Sequence, residues 1–149
     1  MSIITRDQVL LDLHAADRHD ATRQMAQTLA DAGRVTDLDS FLADVRAREE
    51  QMATGLPGGI GIPHARSSAV SEPSLVFARS AGGIDWGAED GPATLVFLIA
   101  APEGGGDEHL KILAALARKL MRADFRTSLA EAADADAVVE IVTTQVVAA

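Results

Sequence analysis

Leu95-Val96-Phe97-Leu98-Ile99 is the most apolar run in the chain, with Gly91-Pro92 before it and Pro102 through Gly106 after it. Its length and its breakers suit a strand rather than a helix. Side chains alternate across a strand, so a run that is apolar at every position has two faces to bury. A sheet built on such a strand needs cover on both sides. The remaining segments interleave strands with helices, and that order implies a three-layer α/β domain.

Taken from the N-terminus, Val9 to Leu13 reads as a short strand or the start of a helix. Asp17 is placed to cap a helix running to about Ala32, with Met25, Ala26, Leu29 and Ala30 on one face and Gly33 as its stop. Asp37 or Asp39 opens a second helix to about Met52, in which Phe41, Leu42, Val45 and Glu49 recur at helical spacing. Ser74 to Arg79 reads as a strand. Gly82-Gly83 and Asp85-Trp86-Gly87 punctuate a long connection to the apolar run. Beyond it, Asp107 is placed to cap the clearest helix, whose stripe is Leu110, Leu113, Leu116, Ala117, Leu120 and Met121. Asp124 and Asp134 open two shorter helices, the last burying Val138, Ile141 and Val142. No repeat, low-complexity tract or linker divides the 149 residues, so a single domain over 1–149 is expected.

Charge and composition remove several functions. The formal net charge is −9, with the acidic residues scattered, which disfavours binding to nucleic acid phosphates. No apolar run approaches the roughly 20 residues that cross a bilayer, and no secretory leader is visible at the N-terminus. Direct membrane insertion is therefore not expected. The absence of cysteine leaves no thiolate nucleophile or thiolate metal ligand, and fits a cytoplasmic protein.

The chemistry-bearing stretch is Gly58-Gly59-Ile60-Gly61-Ile62-Pro63-His64-Ala65-Arg66. Alternating glycine and isoleucine read as a short strand approached closely by something else. Pro63 removes a donor, so the strand ends or lies at an edge there, leaving His64 on a stiff support. A second histidine, His109, stands in the first turn of the clearest helix, where free N–H groups favour an anion and a neutral imidazole. Two histidines with one arginine from the end of the second helix, Arg46 or Arg48, describe a small phosphate site. No cofactor is called for. Zinc needs three or four ligands that the spacing does not supply, a serine hydrolase elbow is absent, and Gly104-Gly105-Gly106 lacks the lysine of a nucleotide loop. His14 and His19 are read as surface residues.

The stretch from Gly59 to Arg66 resembles the phosphorylation signature of the IIA components of the sugar phosphotransferase system, fructose/mannitol type (EIIA type 2). Arg48-Glu49-Glu50 with Thr54-Gly55, Asp85-Trp86-Gly87 with Asp90-Gly91, and Leu95 to Pro102 leading into Glu108-His109-Leu110-Lys111 match the same family in the same order. The resemblance implies a mixed sheet flanked by helices. It also implies that His64 accepts a phosphoryl group from the phosphohistidine of HPr and passes it to a cysteine of an EIIB component, with the EIIC membrane component phosphorylating the sugar. His109 and Arg48 fall on positions that support the phosphoryl group, and it is this resemblance that puts Arg48 ahead of Arg46. Gly61 stands where alanine is common, a change expected only to loosen the strand slightly. A regulatory nitrogen-type protein, an ascorbate-type IIA and a binding module without phosphorylation are the other readings. For nucleophilic attack one ring nitrogen of His64 should be held as N–H by a carbonyl, leaving the other free.

Overall fold

The computed structural model describes residues 3–104 and 108–147, and for residues 108–110 the backbone alone. Six strands form one mixed sheet: β1 (Val9–Leu10), β2 (Gly55–Leu56), β3 (Ile60–Gly61), β4 (His64–Ser67), β5 (Ser74–Ile84) and β6 (Ala93–Pro102). Five α-helices accompany them: α1 (Arg18–Asp31), α2 (Leu38–Gln51), α3 (Glu108–Leu120), α4 (Ala123–Glu131) and α5 (Ala135–Val142). The strand order is β1-β5-β6-β3-β2, with β4 also paired to β6. β6 runs antiparallel to β5 and parallel to β3 and β4, while β1 is parallel to β5.

The apolar run is the central strand, and its alternation partitions the core. Leu95, Phe97 and Ile99 pack with Leu116, Leu120, Phe125, Leu129, Val138 and Val142 of α3, α4 and α5. Val96, Leu98 and Ala100 turn the other way, onto Ala21, Met25 and Leu29 of α1 and Phe41 and Val45 of α2. Phe77 of β5 meets Phe97 with ring centroids 5.0 Å apart at 49°, a tilted packing that suits the ring quadrupoles. The two-faced strand thus has a helical layer on each side.

The helix starts follow from side-chain oxygens that accept the first free N–H groups. Asp17 accepts from Asp20, Asp37 from Ser40 and Asp134 from Ala137. Asp37, rather than Asp39, is the cap of α2. Asp124 does not cap: Arg122 holds the N-cap position of α4, and Asp124 lies in its first turn, where its charge favours the dipole. The expected cap at Asp107 lies outside the described residues. Gly33 adopts φ +75°, the left-handed stop expected after α1.

Of the two readings of the first segment the strand holds, at Val9-Leu10, with a 3-10 turn at Arg6–Gln8 before it. Two sequence expectations change. Gly82-Gly83 lies inside β5, where the register with β6 shifts between Arg79 and Ile84, so these glycines mark an irregularity in a long strand and not a loop. Pro63 interrupts its strand without ending it. Ile60 pairs with Leu95 in β3 and His64 with Ile99 in β4, the same 35-residue offset, so the register resumes intact after the proline. His64 therefore opens a strand.

Candidate phosphoryl site

His64 is half-buried at the start of β4, beside the end of α2. Its Nδ1 lies 2.8 Å from the carbonyl oxygen of Ile62. A carbonyl only accepts, so Nδ1 carries the hydrogen and Nε2 keeps its lone pair. Ile62 is itself held through its other backbone group, its N–H donating to the Thr54 carbonyl at 3.1 Å. The ring orientation thus rests on a residue tied at both its N–H and its carbonyl.

Arg48 stands on the other ring nitrogen, its Nε donating a long bond to His64 Nε2 at 3.4 Å and its Nη1 donating to Gln51 Oε1 at 3.2 Å. Arg46, two residues earlier on α2, points to nearly the opposite side of the helix because each residue advances about 100°. It pairs instead with Glu50 at 3.4 Å. A cleft of about 490 Å³ opens over His64, with Asp44, Arg48 and Gln51 of α2 on one side, Ile99 and Ala101 of β6 behind, and Leu113 of α3 opposite. Its walls combine apolar surface with two guanidinium groups.

The second guanidinium belongs to Arg66, which sequence reasoning did not single out as a site residue. It is two residues after His64 on the same strand and lines the same cleft. The period-two rule would have found it had His64 been placed within a strand rather than beyond one. Glu49 and Thr54 were also missed as supports. The Glu49 side chain is 7% exposed, and its carboxylate accepts from Thr54 N at 2.7 Å and Thr54 Oγ1 at 2.6 Å, with Arg18 Nη1 at 3.4 Å. Trp86 Nε1 donates to the same Thr54 hydroxyl at 3.1 Å. The signal was a carboxylate recurring at the apolar spacing of α2, which places it on the buried face.

The backbone of His109 lies in the first turn of α3, one helical turn before Leu113 at the cleft. Its side chain lies outside the described residues. His14 is exposed beside Asp12 at 3.2 Å, and His19 lines a separate groove between α1 and α2. Among the described residues no group of three or more histidines and carboxylates is arranged for a metal, and no helix is long and apolar enough to cross a membrane.

The expectation about Gly61 is corrected here. A Cβ at this position would lie 2.7 Å from Cδ2 and 2.8 Å from Cγ of Trp86. The glycine is the space into which the indole packs, next to the peptide that orients His64.

Comparison with known proteins agrees with this geometry. Residues 2–145 match the family model described as phosphoenolpyruvate-dependent sugar phosphotransferase system, EIIA 2. The fructose-specific EIIA component of Haloferax volcanii is 45% identical over 132 residues, covering 88% of this chain and 86% of that protein. Among solved structures, the nitrogen regulatory protein IIA-Ntr of Neisseria meningitidis superposes with a TM-score of 0.86 at 28% identity, covering 95% of this chain and 97% of that one. The IIA mannitol protein of Escherichia coli follows at 0.78 and 26%, covering 93% and 98%. The chain belongs to the EIIA 2 family of the phosphoenolpyruvate-dependent sugar phosphotransferase system, and so to its phosphotransfer proteins.

Proposed function

We propose that this protein is a cytoplasmic, fructose-type phosphocarrier in which Nε2 of His64 is the atom phosphorylated. The observation that carries the reading is the pair of contacts on one ring: Nδ1–H on the Ile62 carbonyl, and Nε2 lining an open cleft with only a long 3.4 Å bond from Arg48 Nε–H to give up before it attacks. The Nε2 lone pair attacks the phosphorus of phospho-HPr, an N–P bond forms, and the donor's N–P bond breaks with the electron pair returning to the donor imidazole. Nδ1 keeps its proton throughout, held by Ile62. In the second step a cysteine thiolate of EIIB attacks phosphorus and Nε2 recovers its lone pair, with EIIC engaged only through EIIB. Phosphoryl transition states spread negative charge over their oxygens, so fixed donors contribute most of the catalysis. Arg48 and Arg66 supply that charge from two sides, and His109 is assigned to the same phosphoryl group from the start of α3. The 45% identity to a fructose-specific component supports the transport reading over the nitrogen-regulatory one.

Incubation with phosphoenolpyruvate, enzyme I and HPr, after chelation with EDTA, should give one acid-labile, base-stable phosphate. His64→Ala should abolish it. Arg48→Ala should slow both half-reactions by about 10²-fold, the scale of losing one well-aimed donor. Arg66→Ala should slow them less, and His109→Ala should chiefly impair transfer to EIIB. Comparable labelling of His64→Ala refutes the assignment.

A further inference from the structure

On the far side of α2 from His64 lies a second cleft, of about 280 Å³, between α1 and α2. His19 and Arg23 stand four residues apart on α1, and Leu42 and Arg46 four apart on α2, so each pair shares a face and borders the groove. Arg18 overhangs it, and Val45, Glu49 and Trp86 also line it. In a chain of net charge −9, three guanidinium groups line this groove with two carboxylates, Asp20 and Glu49, while Asp17 and Glu50 lie close to Arg46 outside the lining.

The two lining carboxylates are already engaged. Asp20 Oδ2 accepts from the Ala16 N–H at 2.9 Å and from Gln24 Nε2 at 3.3 Å, and Glu49 accepts two short bonds from Thr54. Two of the guanidinium groups, by contrast, are weakly committed. Arg18 is held by the buried Glu49 at 3.4 Å, but Arg46 has only an exposed pair with Glu50 at 3.4 Å. Arg23 has no hydrogen-bond or ion-pair partner among the described residues. Guanidinium forks match the tetrahedral oxygens of a phosphate, and half-buried Leu42 offers apolar surface for a short carbon skeleton.

We propose that this groove is an anion site for a small phosphate monoester, distinct from the phosphoryl site at His64. The phosphate is held by Arg18, Arg23 and Arg46, and the carbon portion lies toward Leu42. The site takes the intact ester and requires no transfer chemistry.

Trp86 is the only tryptophan and lies beneath the groove, so its emission senses occupation there, with Arg48→Gln separating that signal from the His64 cleft. Glycerol 3-phosphate titrated into the purified protein should produce a saturable change in Trp86 emission and in the arginine Nε–H resonances. Sodium chloride at matched ionic strength should not. The Arg23→Gln/Arg46→Gln protein, altered only at exposed side chains, should bind at least about tenfold more weakly, while Arg48→Gln binds as the parent does. A response that chloride reproduces, one that persists in the double variant, one that is lost in Arg48→Gln, or none in either signal up to about tens of millimolar overturns the proposal.

Discussion

Replacing Gly61 by alanine isolates how this chain builds the floor of its site. Gly61 does not adopt positive φ, so alanine meets no backbone strain there. Removing a glycine from the unfolded chain should by itself stabilise by about 0.4–1 kcal/mol. Against that stands a methyl group placed 2.7–2.8 Å from two indole carbons. The ring cannot swing aside, because Trp86 is 1% exposed and its Nε1 is tied to Thr54. Overpacking of this kind costs about 1–3 kcal/mol, so the net expectation is a loss of about 1–2 kcal/mol. For a chain of this size that lowers Tm by about 2–8 °C. Urea unfolding of Gly61→Ala, Trp86→Leu and the double variant forms a cycle that isolates the contact. The alanine should destabilise when the indole is present and be neutral or stabilising when it is absent, a coupling of at least about 1 kcal/mol. Gly61→Ala as stable as the parent, or equally harmful in both backgrounds, refutes the packing argument.

Two further outcomes follow from the same network and from the helix caps. Glu49→Ala leaves the Thr54 donors and Arg18 without their carboxylate, and should cost about 2–4 kcal/mol in chemical denaturation; a change below about 1 kcal/mol would show that water replaces it. The N–H of Asp20 holds the Asp17 carboxyl below its ordinary value of 3.8, and the Arg122 side chain does the same for Asp124. A depressed folded pKa contributes stability that is complete above the ordinary carboxylate range and is lost as pH falls through the folded value. Stability measured from pH 6 downward should therefore decline below about pH 4, and Asp17→Asn, which keeps the cap but cannot titrate, should flatten that decline. An identical acid limb in the variant would remove Asp17 from the account.

The parts of this fold legible in the sequence are those set by local chemistry. Leu95 to Ile99 announced a strand with two buried faces, and Asp17, Asp37 and Asp134 announced helix starts, because alternation and capping act over a few residues. What the sequence hid depends on partners far along the chain. Pro63 looks like a terminator in isolation, but the carbonyl of Pro63 still accepts from Ile99 N–H at 3.0 Å, so the pairing with β6 carries the strand past it. Gly82-Gly83 has the composition of a loop, yet the antiparallel ladder holds it in β5. Arg66 was invisible as a site residue for the same reason as the strand containing it. Gly61 looked like a loosened alanine until the position of Trp86, 25 residues later in the chain, was known.

The parallel pairing of His64 with Ile99 also fixes when the site comes into being. Parallel partners cannot be joined by a tight turn, and here the loop to be closed is 35 residues long. A chain still emerging from the ribosome, complete as far as Gly91, would contain the whole histidine signature, Arg48 and Trp86, yet lack the central strand against which β4 is registered. Such long-range closure is the slow part of folding. The cleft around His64 is thus assembled late, after the sheet's middle strand has been made, and the nascent chain holds the signature without the pocket.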